Sequence, residues 1–160
     1  MNLPKLLIVS IISLIATHTY AQETGEFSKT ATLKEILGSD AVNYSQYIGE
    51  EEVLNWDIYV PENYDPSKPA GIMVYAGSPN FVRPPAGWLS VMKDKNLIWA
   101  ASTRSDNASS IFQKTLLAMA SVPLIQKDYN IDKTRIYITE EGRSASRTAL
   151  VTQNFLQAQY

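Results

Sequence analysis

Three short apolar runs constrain this chain more than any other feature. Ile72-Met73-Val74-Tyr75-Ala76 and Leu97-Ile98-Trp99-Ala100-Ala101 are continuous and bounded by turn residues, and Arg135-Ile136-Tyr137-Ile138-Thr139 ends at a small-residue turn. The first two, short and unbroken, predict strands buried on both faces, as in a parallel sheet covered by helices, and the third predicts a further strand. Helical signals lie between them. Trp88 to Lys93 has room for one or two turns. From Ser110 to Lys127 the residues Ile111, Phe112, Thr115, Leu116, Met119, Val122 and Ile125 recur at helical spacing, with Ser109 or Ser110 as the N-cap. Pro123 is expected to kink or split that helix. Ser144 to Gln157 reads as a further helix. Strand and helix alternating in this order give an α/β fold with a mostly parallel sheet.

Upstream, the pattern changes. Tyr44 to Ile48 and Val53 to Val60 flank a turn at Gly49-Glu50, and Leu54, Trp56, Ile58 and Val60 fall on one face, so an antiparallel hairpin is expected at the sheet edge. Thr32-Leu33-Lys34-Glu35 has the form of a capping box for one short helix, with Gly38 as its stop. Gln22 to Lys29 is polar and expected to be mobile. At the start, Lys5 precedes the apolar segment from Leu6 to Ala16, and Thr19-Tyr20-Ala21 completes the order of a secretory signal peptide cut after Ala21. The apolar segment falls well short of the ~20 residues that span a bilayer. The expected organisation is a signal peptide over residues 1–21, a mobile segment with a short helix over 22–40, and one α/β domain over 41–160. The protein is then secreted or periplasmic, with no membrane attachment after cleavage.

Charge and chemistry narrow the functions. The sequence has 14 basic and 16 acidic residues, and losing Lys5 with the leader makes the balance more negative, so no basic surface for nucleic acid is expected. It has no cysteine, and its one histidine, His18, lies in the leader. The remaining residues therefore hold neither the usual zinc ligands nor the imidazole of a Ser-His-Asp relay. No metal and no cofactor is expected.

Several pieces taken together resemble a known family. These are Tyr59-Val60-Pro61-Glu62-Asn63-Tyr64-Asp65-Pro66, Pro84-Pro85-Ala86-Gly87-Trp88, Asn96-Leu97-Ile98-Trp99, and Tyr129-Asn130-Ile131-Asp132 followed by Arg135-Ile136-Tyr137-Ile138. In this order and spacing, from about Trp56 to Ala149, they resemble secreted α/β-hydrolase-fold esterases similar to polyhydroxybutyrate depolymerases and feruloyl esterases. The resemblance implies a three-layer α/β-hydrolase-like fold whose C-terminal part is missing, and an ester or polyester as substrate. It places the oxyanion loop on Ala76-Gly77-Ser78, without the family's usual histidine-glycine opening, so Ala76 and Gly77 are the candidate oxyanion donors. The candidate nucleophile is Ser144, in Gly142-Arg143-Ser144-Ala145-Ser146, which lacks the final glycine of a nucleophile elbow. Counted without a gap, the family's serine position falls on Gly142. The family's acid and histidine follow its serine, and residues 145–160 contain no Asp, Glu or His.

Each candidate also has a structural role. Ser144 is the kind of residue that caps a helix, which is the preferred reading, since a serine without a base is a poor nucleophile. Glu140 and Glu141 suit a helix start better than acid/base work, because adjacent strand residues point to opposite sides. Asp106 and Asp132 fit turns. Trp56 and Trp99 are core residues by pattern, whereas Trp88, beside the proline-rich loop, and Arg83, within it, are the candidate substrate contacts. Lys127 and Lys133 are the nearest lysines for an unusual dyad. If the strand from Arg135 to Thr139 is left as a sheet edge, a homo-oligomer or a second chain is expected to pair with it.

Overall fold

A computed structural model of the 160-residue chain describes residues 22–77, 83–105 and 108–139. Among these, five strands form one mixed sheet in the order β1-β2-β4-β3-β5. The strands are β1 (Gly25–Ala31), β2 (Leu54–Val60), β3 (Ala70–Tyr75), β4 (Leu97–Ser102) and β5 (Ile131–Thr139). β3 runs parallel to both β4 and β5, while β2 is antiparallel to β4 and to β1. The sheet therefore has a parallel centre with an antiparallel pair on one side.

Helices cover both faces. α1 (Leu33–Leu37) and α3 (Ile111–Gln126) lie on one face, where Leu33, Ile36, Leu116, Leu117 and Leu124 pack against Leu54, Trp56, Ile58, Ile72, Val74 and Ile98. Trp56 is fully buried there and its Nε1 donates to the Leu117 carbonyl at 3.2 Å, so the indole is satisfied as well as packed. α2 (Leu89–Lys95) covers the opposite face through Met92, which meets Tyr59, Tyr75, Leu97, Trp99 and Ala101. This is a three-layer arrangement, with helices on both faces of a mixed sheet. Each large apolar side chain buried here contributes about 1.5–3 kcal/mol.

Local rules explain most boundaries. Thr32 caps α1 through the Glu35 amide while Glu35 answers to the Thr32 amide, and the helix ends at Gly38 with φ 61°. Ser110 and Gln113 form the same reciprocal box on α3. α2 ends at Asn96, whose φ of 48° is left-handed and whose side chain donates to the Lys68 and Pro69 carbonyls. Gly71 lets the centre of the sheet close up: a Cβ there would stand 2.6 Å from Leu97 and 3.0 Å from the Arg135 carbonyl.

Three expectations need correction. The antiparallel partner of β2 is β1 and not the segment from Tyr44 to Ile48, because Gly38–Tyr44 forms a 3-10 helix and Tyr44, Tyr47 and Ile48 sit at i, i+3, i+4. The polar stretch after Gln22, read as mobile, supplies β1; its alternation places Phe27 and Ala31 inward and Glu26, Ser28 and Thr30 outward. α3 runs unbroken through Pro123. The missing Pro123 N–H costs one bond, to the Met119 carbonyl, in a helix whose residues from Lys114 to Val122 are all buried. The expected helix at 144–157 lies outside the described residues.

Candidate functional site at the carboxyl ends of the parallel strands

β3 and β4 are neighbours, but β3 leads to α2 on one face and β4 to α3 on the other. Diverging connections make the carboxyl ends of β3 and β4 a topological switch point, the place where open α/β sheets bind ligands in a crevice. Its described rim is Ala76 and Gly77 beyond β3, Thr103 to Ser105 beyond β4, and Thr139 at the end of β5.

The two candidate oxyanion donors differ. The Ala76 N–H donates to the Thr139 carbonyl at 2.9 Å and so extends the β3–β5 ladder. That removes Ala76 as a donor to substrate. Gly77 is buried one residue further, past the end of the ladder, and its N–H has no acceptor among the described residues. A donor of this kind suits an oxygen that gains charge during acyl transfer. Only glycine fits there, since a Cβ would lie 2.3 Å from the Tyr75 ring.

Tyr75 begins a row of rings. It stacks on Trp99 with centroids 5.4 Å apart, and Trp99 meets Trp88 edge-on at 6.3 Å. Trp99 and Tyr75 are buried, while Trp88 is 40% exposed. The row thus links the Gly77 turn to an indole open to solvent at the start of α2. Tyr75 and Trp99 join the Gly77 turn to the core under α2, a link their strand pattern alone did not reveal. The only local signal was a glycine two residues after an aromatic.

The loop after β4 is anchored to the start of β2. The Thr103 N–H donates to the Asn55 carbonyl at 3.0 Å, Arg104 pairs with Glu52, and Ser109 Oγ donates to the Arg104 carbonyl at 3.1 Å. Within it Ser105 is 1% exposed, and its hydroxyl has no hydrogen-bond partner among the described residues. Sequence reasoning did not single it out, because serine in a polar loop carries no signal of burial.

The other candidates separate. Arg83 Nη1 stands 3.3 Å from Glu26 Oε2, which ties it to the β1 edge. It lines a cleft of about 210 Å³ with Glu26, Phe27, Ser28, Asp57, Ile58 and Pro84, in which Ser28 Oγ donates to Asp57 Oδ1 at 2.6 Å. Asp132 lies near the amino end of β5, roughly 23 Å along the strand from Thr139 at a strand rise of ~3.3 Å per residue. It accepts from the Thr134 hydroxyl at 2.6 Å and from the Thr134 amide at 2.9 Å, bonds that hold its carboxyl below the usual carboxylate range. Its carboxylate is taken up by local bonds within the irregular start of β5. Lys133 is on the same end of β5, and Lys127, which donates to the Glu35 carbonyl, sits just past α3, so both are remote from the crevice. Among the described residues no three His, Cys, Asp or Glu side chains gather into a metal-sized group. Ser144, Gly142, Glu140, Glu141 and Asp106 lie outside the described residues.

No family model matches the sequence, and no curated protein matches it. Solved structures do resemble it. A thermostable esterase is 19% identical over 72% of this chain, with a TM-score of 0.48. A putative dipeptidyl aminopeptidase IV from Bacteroides ovatus is 20% identical over 72%, with a TM-score of 0.44. A thermophilic esterase, Est2, from the planctomycete Thermogutta terrifontis is 12% identical over 76%, with a TM-score of 0.46. The chain spans 33%, 17% and 42% of the lengths of these three proteins.

Proposed function

We propose that this chain is an exported α/β-hydrolase-like protein related to carboxylic ester hydrolases, and that its 160 residues do not by themselves complete a catalytic relay. One observation supports the reading: Gly77 lies just past the β3–β5 ladder, where an acyl oxygen could be met, yet the sequence holds a single histidine, His18, ahead of the whole domain. An oxyanion donor without a base lowers only part of the barrier, because the serine hydroxyl still has to lose its proton. The substrate class is an ester or polyester, as for depolymerases and feruloyl esterases, with Trp88 as its aromatic contact. Arg83 is the weaker substrate contact, since it already has Glu26. The test is hydrolysis of a short-chain nitrophenyl ester by purified residues 22–160. No rate above buffer is expected. Turnover lost in Ser144→Ala, or covalent fluorophosphonate labelling of Ser144, sinks the incomplete-relay reading and makes the chain an active serine esterase.

A second reading, an assembly module, rests on β5. This strand pairs with β3 along one edge and has no strand on its other edge among the described residues, while Tyr137 is 45% exposed and Ile136 and Ile138 are half-buried. Unpaired ladder groups recruit another strand. Sedimentation of residues 22–160 over a concentration series tests it, and a monomer at all concentrations overturns it.

A further inference from the structure

The residues ahead of β1, and Lys29 within it, are fastened to the connection between α3 and β5. Gln22 Nε2 donates to the Asp128 carbonyl, Lys29 Nζ pairs with the Asp128 carboxylate, and the Tyr129 hydroxyl donates to the Glu23 carbonyl at 2.6 Å. These residues, with Phe27 and Ser28, line a cleft of about 390 Å³. Tyr129 is buried and meets Tyr64 edge-on at 5.4 Å, so the tie reaches a fixed part of the core. We propose that this cleft is the docking site of the processed N-terminus: a cut after Ala21 makes Gln22 the first residue, and its docked side chain preserves it as an open glutamine. The proposal rests on the export reading for the cut itself.

An N-terminal glutamine is chemically unstable. Its neutral α-amine nitrogen attacks the Cδ of its own side chain, the new N–Cδ bond closes a five-membered lactam, the Cδ–Nε2 bond breaks, and Nε2 takes the proton that the amine nitrogen gives up and leaves as ammonia. No oxidant or reductant takes part. Closure requires the side chain to curl back over its own backbone nitrogen. Here Nε2 reaches instead to Asp128, and the next carbonyl, that of Glu23, is held by Tyr129. Lys29 pairs with the same aspartate that accepts from Gln22. The reacting atoms meet only when the strap opens, so the lactam forms at a rate reduced by the opening equilibrium. Cyclisation also removes Nε2, the donor of the tie.

The experiment uses residues 22–160 released from a tag whose removal leaves Gln22 first, held at neutral pH while intact mass is followed for the loss of one ammonia. An unfolded peptide of residues 22–31 is the reference. With two ties to break, the folded chain is expected to cyclise roughly tenfold or more slowly than the peptide. Lys29→Ala and Tyr129→Phe, checked for folding by near-ultraviolet circular dichroism, are expected to fall between the two. Equal rates in folded chain and peptide overturn the docking, as does a folded chain whose slow rate neither substitution changes. A second arm expresses the precursor in an exporting host and measures the first residue. A start other than Gln22 overturns the cut, and with it the assignment of this cleft to a processed N-terminus, while the tag-released chain still decides whether the cleft holds Gln22.

Discussion

A methyl group on Gly77 has nowhere to go, because its ideal position lies 2.3 Å from the Tyr75 ring, and that ring stacks on Trp99. Gly77→Ala must therefore displace Tyr75 or twist the turn, at about 1–3 kcal/mol for an overpacked site. Urea denaturation should show the loss of stability, and near-ultraviolet circular dichroism should report the disturbed pair. Gly87→Ala is the control: nothing lies within 4 Å of a Cβ there, so a change within about 0.5 kcal/mol is expected. Tyr129 makes a different prediction. Burial, with a smaller contribution from Asp128, pushes its phenol up to about 12. An unfolded tyrosine titrates near 10. The neutral form is thus favoured by folding, and its contribution is complete below about pH 10 and lost as pH rises towards 12. Tyr129→Phe loses the bond to Glu23, about 1 kcal/mol at neutral pH, and should flatten the fall in stability across that alkaline window. Denaturation midpoints measured from pH 8 to 11.5 decide the matter; an unchanged alkaline slope in the variant would remove Tyr129 as its source.

α1 and α3 each start with a reciprocal cap that can be removed singly. Thr32→Ala and Ser110→Ala should each cost about 1 kcal/mol in denaturant unfolding, with little change in slope. A null result at Ser110 would mean that tertiary burial alone holds the start of α3. The Thr32–Glu35 box was legible because both partners lie within four residues, while at α3 the sequence offered Ser109 or Ser110 and left Gln113 unread. β3 and β4 were legible too, since burial on both faces leaves an unbroken apolar run. β1 was not, because an edge strand with one large apolar residue, Phe27, looks like any polar segment. Its identity comes from long-range pairing with β2, which no local window contains. The site was legible in the same uneven way. Small residues after β3 pointed to the turn, where Gly77 sits past the end of the ladder. That the Ala76 amide is already used depends on the register of β5, which shifts between the Ala70 and Ile72 pairings. The reason Asp132 is remote from the crevice is likewise topological, as it follows from the direction of β5.

At the scale of the whole sheet, the two outer strands among the described residues offer different surfaces. β1 carries Glu26 and Lys29, and charges on an edge discourage pairing. β5 carries Asp132, Lys133 and Arg135 near its start, but from Ile136 to Thr139 it is uncharged and half-open. Association should therefore run through the second half of β5. Tyr137→Lys places a charge on a side chain that is 45% exposed, so the fold has little to lose while the edge becomes hostile to another strand. Thr30→Lys makes the same chemical change on exposed β1. Sedimentation equilibrium should find the parent chain associating with concentration, Thr30→Lys indistinguishable from it, and Tyr137→Lys at least tenfold weaker, a shift of about 1.4 kcal/mol in association free energy. Equal weakening by both substitutions would point to net charge as the cause, and no association in any of the three would remove β5 as a docking edge. The nitrophenyl ester assay on the same samples separates assembly from catalysis. A second copy also brings no histidine beyond His18, so association between copies processed after Ala21 is expected to leave the hydrolysis rate at that of buffer.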